Sequence, residues 1–225
     1  MPFFTDTAIK PLNLLFCIST FYKEKTKEMF ANSLNSLFES HLKTFNPSKV
    51  SIVEFSEGFV SIFLGNAKEM LKKDSHQIQV VSVAELPKII SNIALDKRFS
   101  FFSLKDLQNN EILKFASISV NGSLEIPQVA SFFLNKHKDI DGVIALGIIK
   151  KGATDHNHYV ATECMRGIGK VSLKYSIPFA NGIITADTDK LIEDRISASG
   201  QNIGKATVQT CLDIIFLKRK METIF

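Results

Sequence analysis

The segment Lys150-Lys-Gly-Ala-Thr-Asp-His156 combines the parts of an anion cradle with a proton carrier. It follows an apolar run and opens a helical pattern, where free backbone N–H groups and the positive end of the helix dipole favour negative charge. Gly152 permits close backbone approach, Thr154 offers a hydroxyl, and Lys150 and Lys151 add positive charge. His156 can give and take a proton near neutral pH. The same residues have a plainer reading, a helix start capped by Thr154 or Asp155 with no ligand. A metal centre is disfavoured, because Asp155, His156 and His158 diverge around a helix and no further ligand completes a shell.

Three other segments carry candidate chemistry. In Gly122-Ser-Leu-Glu-Ile-Pro127, Glu125 precedes a helix with proline in its first turn, a position that suits an acid on dipole grounds alone. Phe21 follows the first apolar run, as a core residue or a ring platform. The segment Ile177-Pro-Phe-Ala-Asn-Gly-Ile-Ile-Thr185 precedes an acidic stretch, Glu193-Asp-Arg195, in which Arg195 either pairs with its neighbours or projects outward.

Positioning these segments requires strands alternating with helices. Leu12 to Ser19 reads as a strand, and Phe30, Leu34, Leu37, Phe38 and Leu42 then recur at helical spacing. Phe115 to Val120 and Gly142 to Gly147 read as strands, with an apolar helix, Ile126 to Leu134, between them. A helix from about Asn157 to Tyr175, a strand from Pro178 to Thr185, and helices at Asp187 to Ile196 and Gly200 to Lys220 complete the pattern. Near-continuous apolar strands imply burial on both faces. The fold class is therefore α/β, a flavodoxin-like three-layer sandwich with a central parallel sheet. Ligands in such a sheet bind beyond the carboxyl ends of the strands, so Ser19 to Tyr22, Asn121 to Glu125, Ile148 to His156 and Asn181 to Thr185 should converge.

An α/β insertion, residues 46–110, separates the first helix from the second core strand. Val50 to Phe55 reads as a strand, Gly58 to Lys73 as an amphipathic helix and Gln77 to Val83 as a strand, a β-α-β pattern. The spacing from Gly58 to Val80 nearly matches that from Gly122 to Val143, which generic β-α-β spacing explains. The insertion is expected to form a compact lobe away from His156.

With 225 residues, 45% of them hydrophobic, the chain can bury a full core. A net charge of +4 from 27 basic and 23 acidic residues, with no basic block, argues against a nucleic-acid partner. Cys17, Cys164 and Cys211 are odd in number and widely spaced, which suggests neither a disulfide framework nor a zinc knuckle and fits a reducing, cytoplasmic setting. The run Leu12 to Ile18 is too short to span a bilayer and lacks a signal peptide's basic flank, so no membrane partner is expected.

Taken in order, Phe21, Gly-x-x-Glu-Ile-Pro, Leu-Gly-x-x-x-Lys-Gly-Ala-Thr-x-His-x-x-Tyr-Val, Ile-Pro-x-x-x-Gly-x-x-Thr and Arg195 resemble the 6,7-dimethyl-8-ribityllumazine synthase family. The resemblance is strong over about residues 115–215 and weak over about 10–45. It implies a lumazine-synthase-like domain spanning 1–225, interrupted by the insertion 46–110. It also implies a transferase of riboflavin biosynthesis that joins 5-amino-6-(D-ribitylamino)uracil to 3,4-dihydroxy-2-butanone 4-phosphate, with no metal or organic cofactor. The alternative is a degenerate member that binds lumazine or flavin, or serves as an assembly subunit.

By the same resemblance, Phe21 stacks on the pyrimidine and Ser123, Leu124 and Glu125 hold the ribityl side and ring edge. Ile148, Ile149 and Lys150 line the pyrimidine pocket through their backbone. Ala153 and Thr154 cradle the phosphate, His156 donates the proton, Asn181 touches the pyrimidine, and Arg195 clamps the phosphate from another subunit of a homopentamer. The chain departs from the family pattern at Leu124 and Asn181, where aromatics are usual, and at Lys151, where arginine is. Ile203 stands in the place of a lysine.

Overall fold

Leu12, Leu14, Phe16 and Ile18 alternate with Leu15 and Cys17 along the first apolar run, and all six are buried. Such a strand needs cover on both faces. It is β1 (Leu12–Ser19), followed by α1 (Lys23–His41), β2 (Lys49–Glu54), β3 (Phe59–Leu64), β4 (Ile78–Ser82), α2 (Leu86–Asp96) and β5 (Phe99–Lys105). Next come β6 (Glu111–Val120), a 3₁₀ turn (Ser123–Glu125), α3 (Ile126–Lys136), β7 (Gly142–Lys150), α4 (His156–Tyr175), β8 (Phe179–Ala186), α5 (Asp189–Ile196) and α6 (Ile203–Ile224). This computed structural model describes residues 11–41, 49–54, 59–64, 78–106 and 110–224.

All eight strands form one sheet in the order β4-β2-β3-β5-β6-β1-β7-β8. The core half, β6-β1-β7-β8, is parallel throughout, with β1 between β6 and β7, which are consecutive strands in the chain. This is the doubly wound arrangement expected from the alternation of elements. Residues of α1, α2, α5 and α6 pack on one face of the sheet, and α3 and α4 on the other.

The inserted segment corrects two expectations. It is not a separate lobe: β5 pairs antiparallel along β6 from Phe99↔Ile118 to Lys105↔Glu111, and the sheet continues through β3 and β2 to β4. The extended sheet is therefore mixed, its inserted half carrying antiparallel pairs. Nor is 59–64 helical, since Phe59–Leu64 is β3, with Val60, Ile62 and Leu64 buried toward one face. A period-two pattern won over an apparent helical one because the flanking strands supplied backbone partners. Phe55, Gly58, 65–73 and Gln77 of the expected insertion elements, and Leu42 of the first helix, lie outside the described residues. The expected strand pair at 50–54 and 78–82 stands, but β2 and β4 are antiparallel neighbours.

Two strand–turn–helix units share one local design. In the first, Glu85-Leu86-Pro87 opens α2, and the Glu85 carboxylate accepts from the backbone N–H of Ser82 at 3.1 Å. In the second, Glu125-Ile126-Pro127 opens α3, and the Glu125 carboxylate accepts from the N–H of Gly122 at 3.0 Å. Proline fits the first helical turn because its missing donor would be unpaired there, while the glutamate reaches back to a donor that the turn leaves free. Both helices are 11 residues long and bury the residue after the glutamate and the proline. They lie on opposite faces because β4 and β5 run antiparallel to β6 and β7. A right-handed crossover in the same direction across the sheet then falls on the other side.

Candidate active site

The loops after β1, β6 and β7 meet at the carboxyl ends of the parallel strands. The backbone N–H and the hydroxyl of Thr20 both donate to Val120 O, at 2.8 and 3.0 Å, which joins the first two loops. The 3₁₀ turn is seated on β7 at Gly147, where a Cβ would lie 2.6 Å from Ser123 Oγ and 3.1 Å from Ser19 Cβ. Only glycine allows this approach. On its other side the turn is held by Cys164 of α4, whose thiol donates to Ser123 O at 3.0 Å. Burial, aided by the charge of Glu125, pushes that thiol up to about 11, so at neutral pH it remains a protonated donor.

Around this frame the candidates divide by exposure. Phe21 is 73% exposed and Leu124 45% exposed, so both present apolar surface at the strand ends. Ser123 is turned inward; its Oγ is buried and has no hydrogen-bond partner among the described residues. Ile148 and Ile149 bury their side chains on opposite faces of the sheet. With their side chains buried, any contact they make at the rim is through the backbone. Glu125 commits one carboxylate oxygen to Gly122, as Glu85 does in the matching turn far from this site.

Residues 151–156 are all exposed, and the space a Cβ would fill at Gly152 is open. No packing within the chain therefore demands glycine there. The helix that follows has no side-chain cap at Asp155, whereas α5 has one, Thr188 accepting from Leu191 N at 3.3 Å. Thr154 Oγ1 accepts from His156 N at 3.4 Å, a long contact, and Asp155 O accepts from His158 N at 3.0 Å, which leaves the backbone N–H of Asn157 without a partner among the described residues. The imidazole of His156 is exposed and has no hydrogen-bond partner among the described residues. An open depression of about 360 Å³ beside this turn is lined by Lys151, Asp155, Asn157, His158, Tyr159 and Asp187, and His156 is not one of its walls.

Lys150 takes part in an ion-pair cluster that sequence reading missed. Its Nζ lies 2.6 Å from Asp189 Oδ2, and Lys25 of α1 bridges Asp189, at 3.8 Å, and Glu193. The hydrogen bond and charge of Asp189 raise the pKa of Lys150, and Lys150 in turn lowers that of Asp189. The cluster fastens the start of α5 to the end of β7 and to α1. No sequence spacing relates its members, because they converge only through the sheet topology.

Asn181 and Arg195 do not join the group. Residues 181–185 were expected at a strand end, but β8 runs on to Ala186 because it pairs with β7 as far as Lys150. Asn181 is level with Ala145, roughly 17 Å along the strand from Lys150. Its Oδ1 accepts from Ile183 N at 3.0 Å. Thr185, level with Ile149, does reach the rim. Arg195 lies roughly 9 Å down α5 from Asp189, next to Ile196, whose carbonyl accepts from Asn32 Nδ2 at 2.8 Å. It is half-buried and makes no ion pair with its acidic neighbours among the described residues. Asn181 belongs to the outer edge of the sheet, where β8 has no further strand beside it.

The family model for 6,7-dimethyl-8-ribityllumazine synthase matches residues 101–219. A protein of that name from Buchnera aphidicola subsp. Schizaphis graminum is 34% identical over 111 residues, 49% of this chain and 69% of the relative. One from Aquifex aeolicus is 40% identical over 107 residues, 48% of this chain and 67% of the relative. Another, from Paramagnetospirillum magneticum, is 32% identical over 108 residues, 45% and 72% of the two chains. The family match thus begins inside β5 and takes in the whole rim after β6 and β7.

Proposed function

The chain belongs to the 6,7-dimethyl-8-ribityllumazine synthase family, and from that premise we propose that it catalyses the condensation for which the family is named. The substrates are 5-amino-6-(D-ribitylamino)uracil and 3,4-dihydroxy-2-butanone 4-phosphate, and the product is 6,7-dimethyl-8-ribityllumazine, a precursor of riboflavin. The amine attacks the ketone and loses water to form an imine, phosphate is eliminated, and ring closure with loss of a second water completes the second ring. This chemistry needs reactants held together and protons moved between them, which suits proximity and general acid–base catalysis.

The observation that carries the reading is the uncapped start of α4 beside open space at Gly152, with His156 exposed on the same turn. The unpartnered N–H of Asn157 on this turn suits the phosphate, with Ala153 and Thr154 as its cradle. His156 is the proton donor. Phe21 and Leu124 flank the pyrimidine, and backbone groups of Ile148, Ile149 and Lys150 meet its edge. Ser123 contributes through its backbone, and Glu125 through its uncommitted carboxylate oxygen.

The position of Asn181 on the edge strand β8, away from the His156 turn, supports a site completed between subunits, each subunit lending Asn181 and Arg195 to a neighbour's His156 turn. A homopentamer is the assembly we propose. The replacements at Leu124, Asn181 and Ile203 favour a second reading, a member that binds a lumazine or flavin without turning over, or that serves as an assembly subunit. Incubating the purified protein with both substrates and following the absorbance and fluorescence of the lumazine separates the two. Product formation that scales with protein is expected, and its absence in a folded oligomer would leave the second reading.

Arg195 gives a more local test. Replacing it by alanine should raise the Michaelis constant for the butanone phosphate by about ten- to a hundredfold, the worth of a charge-assisted contact of roughly 1.5–3 kcal/mol. An equal loss of affinity for the ribitylaminouracil would remove Arg195 from the phosphate.

A further inference from the structure

A second cavity, of about 260 Å³, lies at the opposite end of the sheet from His156, between the inserted strands and the core. Its floor and walls come from both parts of the chain: β3 and β5 from the insertion, and β1, β6, α3 and the turn before β7 from the core. Six rings contribute to its lining, among them two face-to-face pairs. Phe59 stacks on Phe101 with centroids 5.0 Å apart and planes 10° apart, and Phe133 stacks on His137 at 4.1 Å and 20°. Phe101 stands between the two pairs, 6.2 Å from His137. Phe59 remains 48% exposed, so the lining offers aromatic surface to an incoming ring.

The polar groups of the cavity select the charge of that ring. Glu111 is paired with Lys114 and accepts from Ser103, so the cation nearest the cavity is already neutralised. Asp139 accepts from Asn13 Nδ2 at 2.7 Å through one oxygen and keeps the other. The side chains of His137 and Ser61 have no hydrogen-bond partner among the described residues. Aromatic faces and an uncommitted carboxylate attract a cation and repel an anion. Pockets of this kind, mostly apolar with a few directed polar groups, suit small planar ligands.

We infer that this cavity binds a flat nitrogen heteroaromatic that is cationic or donates N–H, its rings against Phe59 and Phe101 and its polar edge toward Asp139. The site is independent of the proposed reaction, and it exists only because the insertion continues the sheet beside α3. Isothermal titration of the full-length protein with aminobenzimidazole, protonated near neutral pH, tests it. Saturable binding with one site and a Kd on the order of 0.1–1 mM is expected for a ligand of this size. Naphthoate, an anionic bicycle of similar size, should bind at least about tenfold more weakly.

Two variants keep the test on this cavity. Phe59→Ser changes a half-exposed ring and Asp139→Asn keeps the shape and acceptor, so both should fold, as circular dichroism will check. Each should weaken aminobenzimidazole by about fivefold or more. Absence of saturable binding up to about 5 mM, equal binding of naphthoate, or unchanged affinity in both folded variants would overturn the inference.

Discussion

Replacing His156 by alanine lowers turnover by a factor on the order of ten to a thousand while leaving the melting temperature where it was. The two halves of this expectation have separate grounds. A positioned proton-transfer group contributes about that much, and the cradle proposed at Ala153 and Thr154 is untouched by the substitution. The fold should not notice, because the imidazole is exposed and has no hydrogen-bond partner among the described residues. Steady-state kinetics with both substrates and a thermal melt of each protein check the two halves together. An unchanged rate would remove His156 from the mechanism, and a large drop in melting temperature would assign it a structural role instead.

Excision of residues 46–110 with a short linker should abolish soluble, folded protein. A detached lobe would tolerate this deletion. The inserted strands are instead the continuation of the sheet, and an aromatic column ties them to the core. Phe102 of β5 stacks on Phe115 of β6 at 4.7 Å, Phe115 meets Phe16 of β1 at 5.7 Å, and Phe16 meets Phe30 of α1 at 5.0 Å. All four are buried. Removing Phe102, Leu86, Ile90, Ala94 and Leu95 uncovers one face of this column, at roughly 1.5–3 kcal/mol for each large side chain exposed. The same cut strips β6 of one of its two partners and leaves a long apolar edge, a template for aggregation. Expression, size-exclusion chromatography and circular dichroism decide the matter. A soluble oligomer that melts within a few degrees of the parent would show that the core does not depend on the insertion.

Much of the architecture was legible in the chain because its signals are local. The continuous apolar runs at 12–19 and 142–150 demand burial on both faces, and the helical spacing after each demands a crossover. Those two facts suffice for a doubly wound sheet and for the meeting of the loops after β1, β6 and β7. The motif around His156 was legible too, since it lies within one turn and its chemistry depends on neighbours in sequence. At 59–64 local reading failed, because a short apolar segment is compatible with either period and only its strand partners decide.

What residue order alone determined is therefore the set of elements in the core half and the residue types that each turn presents. Tertiary structure decided the relations across distance: that β5 pairs with β6, that Lys150 and Lys25 share Asp189, and that Ser123 faces inward against Gly147. It also decided that Asn181 stands on the edge strand β8, away from the rim that carries His156. The physical reason is common to all of these. Hydrophobic period and turn chemistry act over a few residues, whereas strand pairing, ion-pair geometry and the facing of a side chain depend on which distant segments the sheet brings alongside.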